Sequence, residues 1–143
     1  MNSDSRNPDS LHVIRLRGPC QVALTSGDTQ TEPVRVRIPA KISAENFPTK
    51  VLYEDGSVFL HRKFNKPTGM VATQKAVLNF RGFTNVKVAR LNPNMANGAS
   101  AEFCDADLFS IDVTGILLSH NTIEVVFNSM PAFAGDIELV IEN

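Results

Sequence analysis

One stretch of this sequence constrains its fold more than any other, the run 108–127 reading LFSIDVTGILLSHNTIEVVF. Asp112 and Thr114 carry short oxygen-bearing side chains that accept hydrogen bonds from the free backbone N–H groups of a following helical turn. Ile116 and Leu117 sit on that turn and plug one end of a core. Asn121 tolerates the left-handed conformation that a tight reversal often needs, so the chain re-enters a sheet at once. Ile123, Val125 and Phe127 then share one strand face while Thr122, Glu124 and Asn128 take the other, with Val126 the exception. Strand, corner, plug and returning strand predict a β-sandwich, and the corner is scaffolding with no chemistry of its own.

The rest of the chain repeats the pattern at short intervals. Strands are predicted over 11–17, 21–25, 34–38, 57–64, 74–81, 85–91, 108–113, 122–128 and 136–142. Turn formers separate them at Ser26-Gly27-Asp28, Glu54-Asp55-Gly56, Lys66-Pro67-Thr68-Gly69 and Asn97-Gly98. The spacing is too tight for βαβ crossovers. Expected core-facing sets are Ile14 with Leu16, Leu78 with Phe80, Val86 with Val88, and Ile137 with Leu139 and Ile141. A polar tail over residues 1–10 precedes a single domain over 11–143, a length that buries about two thirds of its unfolded surface without a disulfide or metal.

Function classes narrow by exclusion. No apolar stretch approaches the roughly 20 residues of a membrane span, and the polar first ten residues hold no secretory segment, so a cytoplasmic location is expected unless a leader lies outside this chain. Cys20 and Cys104 have no metal-like spacing and no neighbouring His; two buried thiols are expected, with a disulfide between antiparallel strands the alternative. All 14 Lys and Arg fall in residues 1–90 with seven acids, whereas 91–143 carries eight acids and no base. Those bases are dispersed along alternating strands and match no nucleic-acid module, so nucleic acid is not expected as a partner. Interleaved early and late strands are expected to neutralise each other, a basic groove being the alternative.

The resemblance becomes specific over roughly residues 57–143. The succession Phe64…Pro67, Val77-Leu78-Asn79-Phe80-Arg81-Gly82-Phe83, Val86-Lys87-Val88-Ala89-Arg90-Leu91-Asn92 and Phe109…Asp112-Val113-Thr114…Leu117…Asn121-Thr122-Ile123-Glu124-Val125 resembles the N-terminal sugar-binding domain of glycoside hydrolase family 2. The resemblance implies an all-β fold, a single jelly-roll β-sandwich of the galactose-binding-domain-like group. Family hydrolases carry their two catalytic carboxylates in a separate barrel that this chain is too short to contain, so catalysis is not implied. Where the family has Asn-Gly after the Leu91 strand, this chain has Asn92-Pro93 and a longer loop through Asn97-Gly98. It also has no Trp and one Tyr, although sugar sites commonly stack rings on aromatics.

No metalloprotease helix, nucleophile elbow, phosphate loop or dinucleotide fingerprint is present, and His12, His61 and His120 are scattered. The richest polar cluster is His61-Arg62-Lys63-Phe64-Asn65-Lys66-Pro67. Alternation puts Arg62 on the inward face with Val58, Leu60 and Phe64, so it must reach a rim or pair with a buried acid. Arg62, with His61, Asn65 and Tyr53, is therefore the candidate set for saccharide hydroxyls or a carboxylate, which the planar donor fork of Arg suits. Glu102, Asp105 and Asp107 offer oxygens to a structural calcium ion, or form a solvated acidic loop; no other cofactor is expected. The function expected is a non-catalytic carbohydrate-binding module taking a mono- or oligosaccharide. The alternative is a structural sandwich that has lost the sugar and holds a protein partner or a second copy.

Overall fold

Alternating β-branched and polar residues give this chain strands and little else. The computed structural model describes residues 11–26, 29–43, 47, 57–71, 73–96, 98–102, 107–128 and 132–142, and among them no segment is helical. The strands are β1 (Leu11–Arg15), β2 (Gly18–Ser26), β3 (Thr29–Gln30), β4 (Val34–Ile38), β5 (Ala40–Ile42), β6 (Ser57–Asn65), β7 (Lys75–Arg81), β8 (Val86–Leu91), β9 (Ala99–Glu102), β10 (Leu108–Asp112), β11 (His120–Phe127), β12 (Ala132–Ala134) and β13 (Asp136–Glu142). The tail 1–10, the turn residues 27–28 and 54–56, Tyr53, Cys104 and Asp105 lie outside the described residues.

Two antiparallel sheets face each other in a jelly-roll β-sandwich. The smaller runs β1-β13-β7-β10; the larger runs β3-β2-β6-β11-β8-β9, with β4 beside β3 on the same flank of β2, and β5 pairs β12 separately. Each sheet turns one side of its alternation inward. Leu78, Phe80, Ile137 and Leu139 come from the smaller sheet, Val22, Leu60, Ile123 and Val125 from the larger, and all are buried. The Phe80 and Phe109 rings stack with centroids 4.7 Å apart, and Phe83 meets Phe80 edge-on at 5.7 Å and lies near-parallel to Phe127 of the larger sheet at 6.3 Å. Gly135 sits so close to the Arg81 carbonyl that any Cβ there would overlap it.

The corner after β10 forms as an Asx turn. Thr114 donates its N–H to Asp112 Oδ1 at 3.0 Å, while Thr114 Oγ1 accepts the Ala76 N–H at 3.0 Å and so ties the corner to β7. Ile116 and Leu117 are half-buried against the core, as the plug requires. Asn121 departs from expectation. It is a strand residue, and positive φ among the described non-glycine residues belongs to Asn85 and Asn92. Its buried amide makes the reversal through its side chain, accepting from Leu118 N–H at 2.9 Å and donating to Leu118 O at 2.8 Å. Asn92 Nδ2 also donates to Asn121 Oδ1 at 3.0 Å, while Asn92 Oδ1 accepts the Thr122 N–H at 2.8 Å.

Two further expectations are corrected. Residues 11–17 are not one strand: β1 ends at Arg15, Leu16 turns into the core with its N–H on Ile137 O at 2.9 Å, and the chain crosses to the other sheet, where β2 starts at Gly18 with φ 103°. Val86 and Val88 do not share a face. A bulge between Val126 and Phe127 pairs Val86 with Phe127 and Val88 with Val126, so Val86 stays in the core between the sheets while Val88 turns to the other face of the sheet, where it is buried all the same at 4% exposure. Strands β3, β5, β9 and β12 were not expected at all, being short or, as in Ala99–Glu102, without β-branched residues.

Two measurements check these contacts. Asn121→Ala strands the Asn92 amide and both Leu118 backbone groups, and should cost roughly 3 kcal/mol in a denaturant titration. Asp112 is held below the usual carboxylate range first by the Thr114 backbone N–H, then by the Thr114 hydroxyl and the Lys75 charge. A depressed folded value means its support is complete above the unfolded carboxylate pKa and is lost as pH falls through the folded one. The gap in melting temperature between the native protein and Asp112→Ala should therefore be present at neutral pH and close in acid.

Candidate functional site

Strand β6 is central in the larger sheet, flanked by β2 and β11. Its alternation buries Val58, Leu60 and Phe64 and turns Arg62 to the same inward side. Arg62 escapes the core because β2 changes partner there. Pairing of β2 with β6 runs from Gln21 opposite His61 to Thr25 opposite Ser57, whereas pairing of β2 with β4 runs from Gly18 opposite Ile38 to Val22 opposite Val34. Over Gly18–Cys20 the strand therefore stays with β4 and leaves β6. The seam that opens is a cleft of about 280 Å³, between Pro19, Cys20 and Gln21 on one side and His61, Arg62 and Lys63 on the other, with Arg35 at the outer lip.

Inside that seam the Arg62 guanidinium meets backbone oxygen. Nη2 donates to Arg17 O at 2.8 Å and Nη1 to Lys63 O, while Nε is buried with no partner. No carboxylate among the described residues pairs with it, so of the two expectations for Arg62 the rim position is the one observed. Cys20, a buried free thiol on the cleft wall, is pushed up to about 11 by burial, with the Arg62 charge pulling the other way.

His61 points to the opposite, outward face. It donates from Nε2 to Glu124 Oε2 at 2.9 Å, and Arg90 Nη1 donates to Glu124 Oε1 at 2.8 Å. One carboxylate, with a side chain only 13% exposed, thus fixes two cationic or cation-forming groups from the strands on either side of it. This late acid between early bases is the neutralisation expected from interleaving. Glu138 of β13 does the same in the smaller sheet, lying 3.7 Å from Arg15 and 3.4 Å from Arg81.

The remaining candidates do not join the cleft. Asn65 Oδ1 accepts from His120 Nδ1 at 2.8 Å at the far end of β6. Tyr53 and Asp105 lie outside the described residues, Glu102 ends β9, and Asp107 is exposed, its carbonyl accepting the Gly82 N–H at 2.9 Å. Among the described residues no group of three or more His, Cys, Asp or Glu is gathered for a metal. Sequence reasoning missed Arg35, Cys20 and Gln21 as neighbours of Arg62. The alternation Val34-Arg35-Val36-Arg37 marked Arg35 as outward, but only the partner change of β2 brings it to the cleft.

This two-sheet β-sandwich is similar in fold to part of several solved glycosidases. The fold matches a beta-glucuronidase from Faecalibacterium prausnitzii with a TM-score of 0.66 at 18% identity, over 94% of this chain and 32% of that one. It matches a Bifidobacterium dentium beta-glucuronidase complexed with coumarin-3-O-glucuronide with a TM-score of 0.67 at 18% identity, over 94% of this chain and 30% of that one. A beta-D-mannosidase from Dictyoglomus thermophilum matches with a TM-score of 0.61 at 14% identity, over 83% of this chain and 16% of that one. This chain therefore spans a third or less of these proteins. No family model and no curated protein sequence matches it.

The raised Cys20 thiol has a consequence in alkali. Folding holds it neutral where the unfolded thiol ionises, so its share of stability is intact below the ordinary thiol pKa and is lost as pH rises toward about 11. Cys20→Ala should show a shallower alkaline fall in melting temperature than the native protein.

Proposed function

We propose that this chain is a non-catalytic carbohydrate-recognition domain that takes a saccharide in the cleft between β2 and β6. The observation that carries this reading is the cleft itself, where a buried strand position delivers a guanidinium to the surface among other hydrogen-bond donors. Its 280 Å³ is just below the ~300–1,000 Å³ of drug-sized ligand pockets, a size for one or two sugar units. Arg62 supplies guanidinium donors to hydroxyl or carboxylate oxygens, Lys63 and Arg35 supply charge, Gln21 both donates and accepts, and His61, held by Glu124, borders the cleft on its outward side. In support, the same fold occurs within proteins whose names are those of sugar-processing enzymes, including a beta-galacturonidase from Eisenbergiella tayi bound to galacturonate. Hydrolysis is not part of the proposal, since the chain covers about a third of those enzymes at most. Turnover of nitrophenyl glycosides by the purified chain would contradict this.

A glycan array read alongside thermal shift tests the reading. A reproducible saccharide hit that weakens at least about tenfold in Arg62→Ala supports it. Unchanged affinity in a folded Arg62→Ala protein removes the cleft as the site. A second reading, an assembly domain, is favoured by one observation: Leu11 and Val13 are 48% and 53% exposed on β1, which ends the smaller sheet among the described residues. Light scattering that finds a dimer converted to monomer by Val13→Lys would support that reading.

A further inference from the structure

We infer that the outward face of the larger sheet binds an acidic, extended β-linked glycan laid across its strands. The inference rests on the carbohydrate reading above and adds the charge and direction of the ligand.

The register places Arg35, Gln21, His61, Glu124, Arg90 and Ser100 in one row on five neighbouring strand pairs, from β4 through β2, β6, β11 and β8 to β9. Because the inward neighbours Val22, Leu60, Val125 and Ala89 are buried, this row faces outward. Arg35, His61 and Arg90 each stand two strands apart. With strands ~4.8 Å apart, these groups recur about every 9–10 Å across the sheet. In an extended β-linked chain each sugar is turned over relative to the last, so carboxylates on one side recur every second sugar, which is about the same interval. The next row adds Arg37 on β4 and Lys63 on β6, separated by the mouth of the cleft.

Charge on this end of the face is unbalanced. Arg35, Arg37 and Lys63 are exposed and pair with no carboxylate among the described residues. Glu124 spends both oxygens on His61 and Arg90, which orders those two side chains and offsets their charge, so the free positive charge of this face lies at Arg35, Arg37 and Lys63. The smaller sheet, by contrast, sets Glu138 between Arg15 and Arg81. The row itself holds no Phe, Tyr or Trp, so charge and hydrogen bonding would carry its affinity for a sugar. The same shortage disfavours single-stranded nucleic acid, whose sequence-tolerant binders stack bases on aromatic rings.

Calorimetry on the full chain tests this with β-linked tetramannuronate and β-linked mannotetraose, which differ in the carboxylates. Tetramannuronate should bind at least about tenfold more tightly, weaken as salt rises, and lose about tenfold in the double variant Arg35→Gln/Lys63→Gln, whose surface positions leave the fold intact by melting temperature. Equal affinity for the two sugars overturns the charge inference while the carbohydrate reading stands. Silence with both, together with silence on the glycan array, overturns both. A double variant that binds tetramannuronate like the native protein overturns this location, and an octanucleotide single strand that binds more tightly than tetramannuronate overturns the glycan.

Discussion

Two buried amides set the geometry on which the larger sheet depends. Asn92 follows β8 and Asn121 stands at the start of β11, and their side chains meet at 3.0 Å, 7% and 2% exposed. Through them the loop after β8, the turn before β11 and the first rungs of the β11 ladder share one hydrogen-bond network. Leu118, Thr122 and Met95 contribute backbone groups to it. A buried amide without partners is costly, so these bonds favour one register over a slipped one. With β11 fixed, β6 is fixed beside it over eight facing pairs, and the inward address of Arg62 follows from that register.

The cleft arises because one strand serves two neighbours over different lengths. β2 holds β6 with its second half and β4 with its first, and the overlap is only Gln21 and Val22. Chain crossing from the smaller sheet enters at Gly18, so the first residues of β2 are steered by the crossover and by β4. An arginine at an inward position would otherwise have been a charge in a core. Here the position is half-buried on the inward side of β6, and backbone carbonyls of Arg17 and Lys63 take hydrogens of the guanidinium.

Much of this was legible from residue order. Alternation put Arg62 inward with Leu60 and Phe64, and the Asp112-Val113-Thr114 run announced its corner, because both depend on residues within a few positions of one another. Val88 was not legible: a single bulge opposite Val126 reverses the parity of the strand, and bulges carry no fixed residue signature here. Asn121 showed a reversal but not its means, since a left-handed backbone and a side-chain bridge use the same residue type. The outward polar row was hidden for another reason. Arg35, His61 and Arg90 are scattered in sequence and become a row only through the order β4-β2-β6-β11-β8.

One further property follows from the pairing of β1 with β13. Leu11 lies opposite Glu142 and Arg15 opposite Glu138, so residues 11 and 142 sit side by side at one end of an antiparallel ladder. Tension drawn outward through those two residues pulls across the strands and loads one rung at a time, instead of shearing all five together. The sandwich is thus mechanically soft along that line, opening like a zipper from its outermost pair, while force applied between other points would meet the sheets in shear.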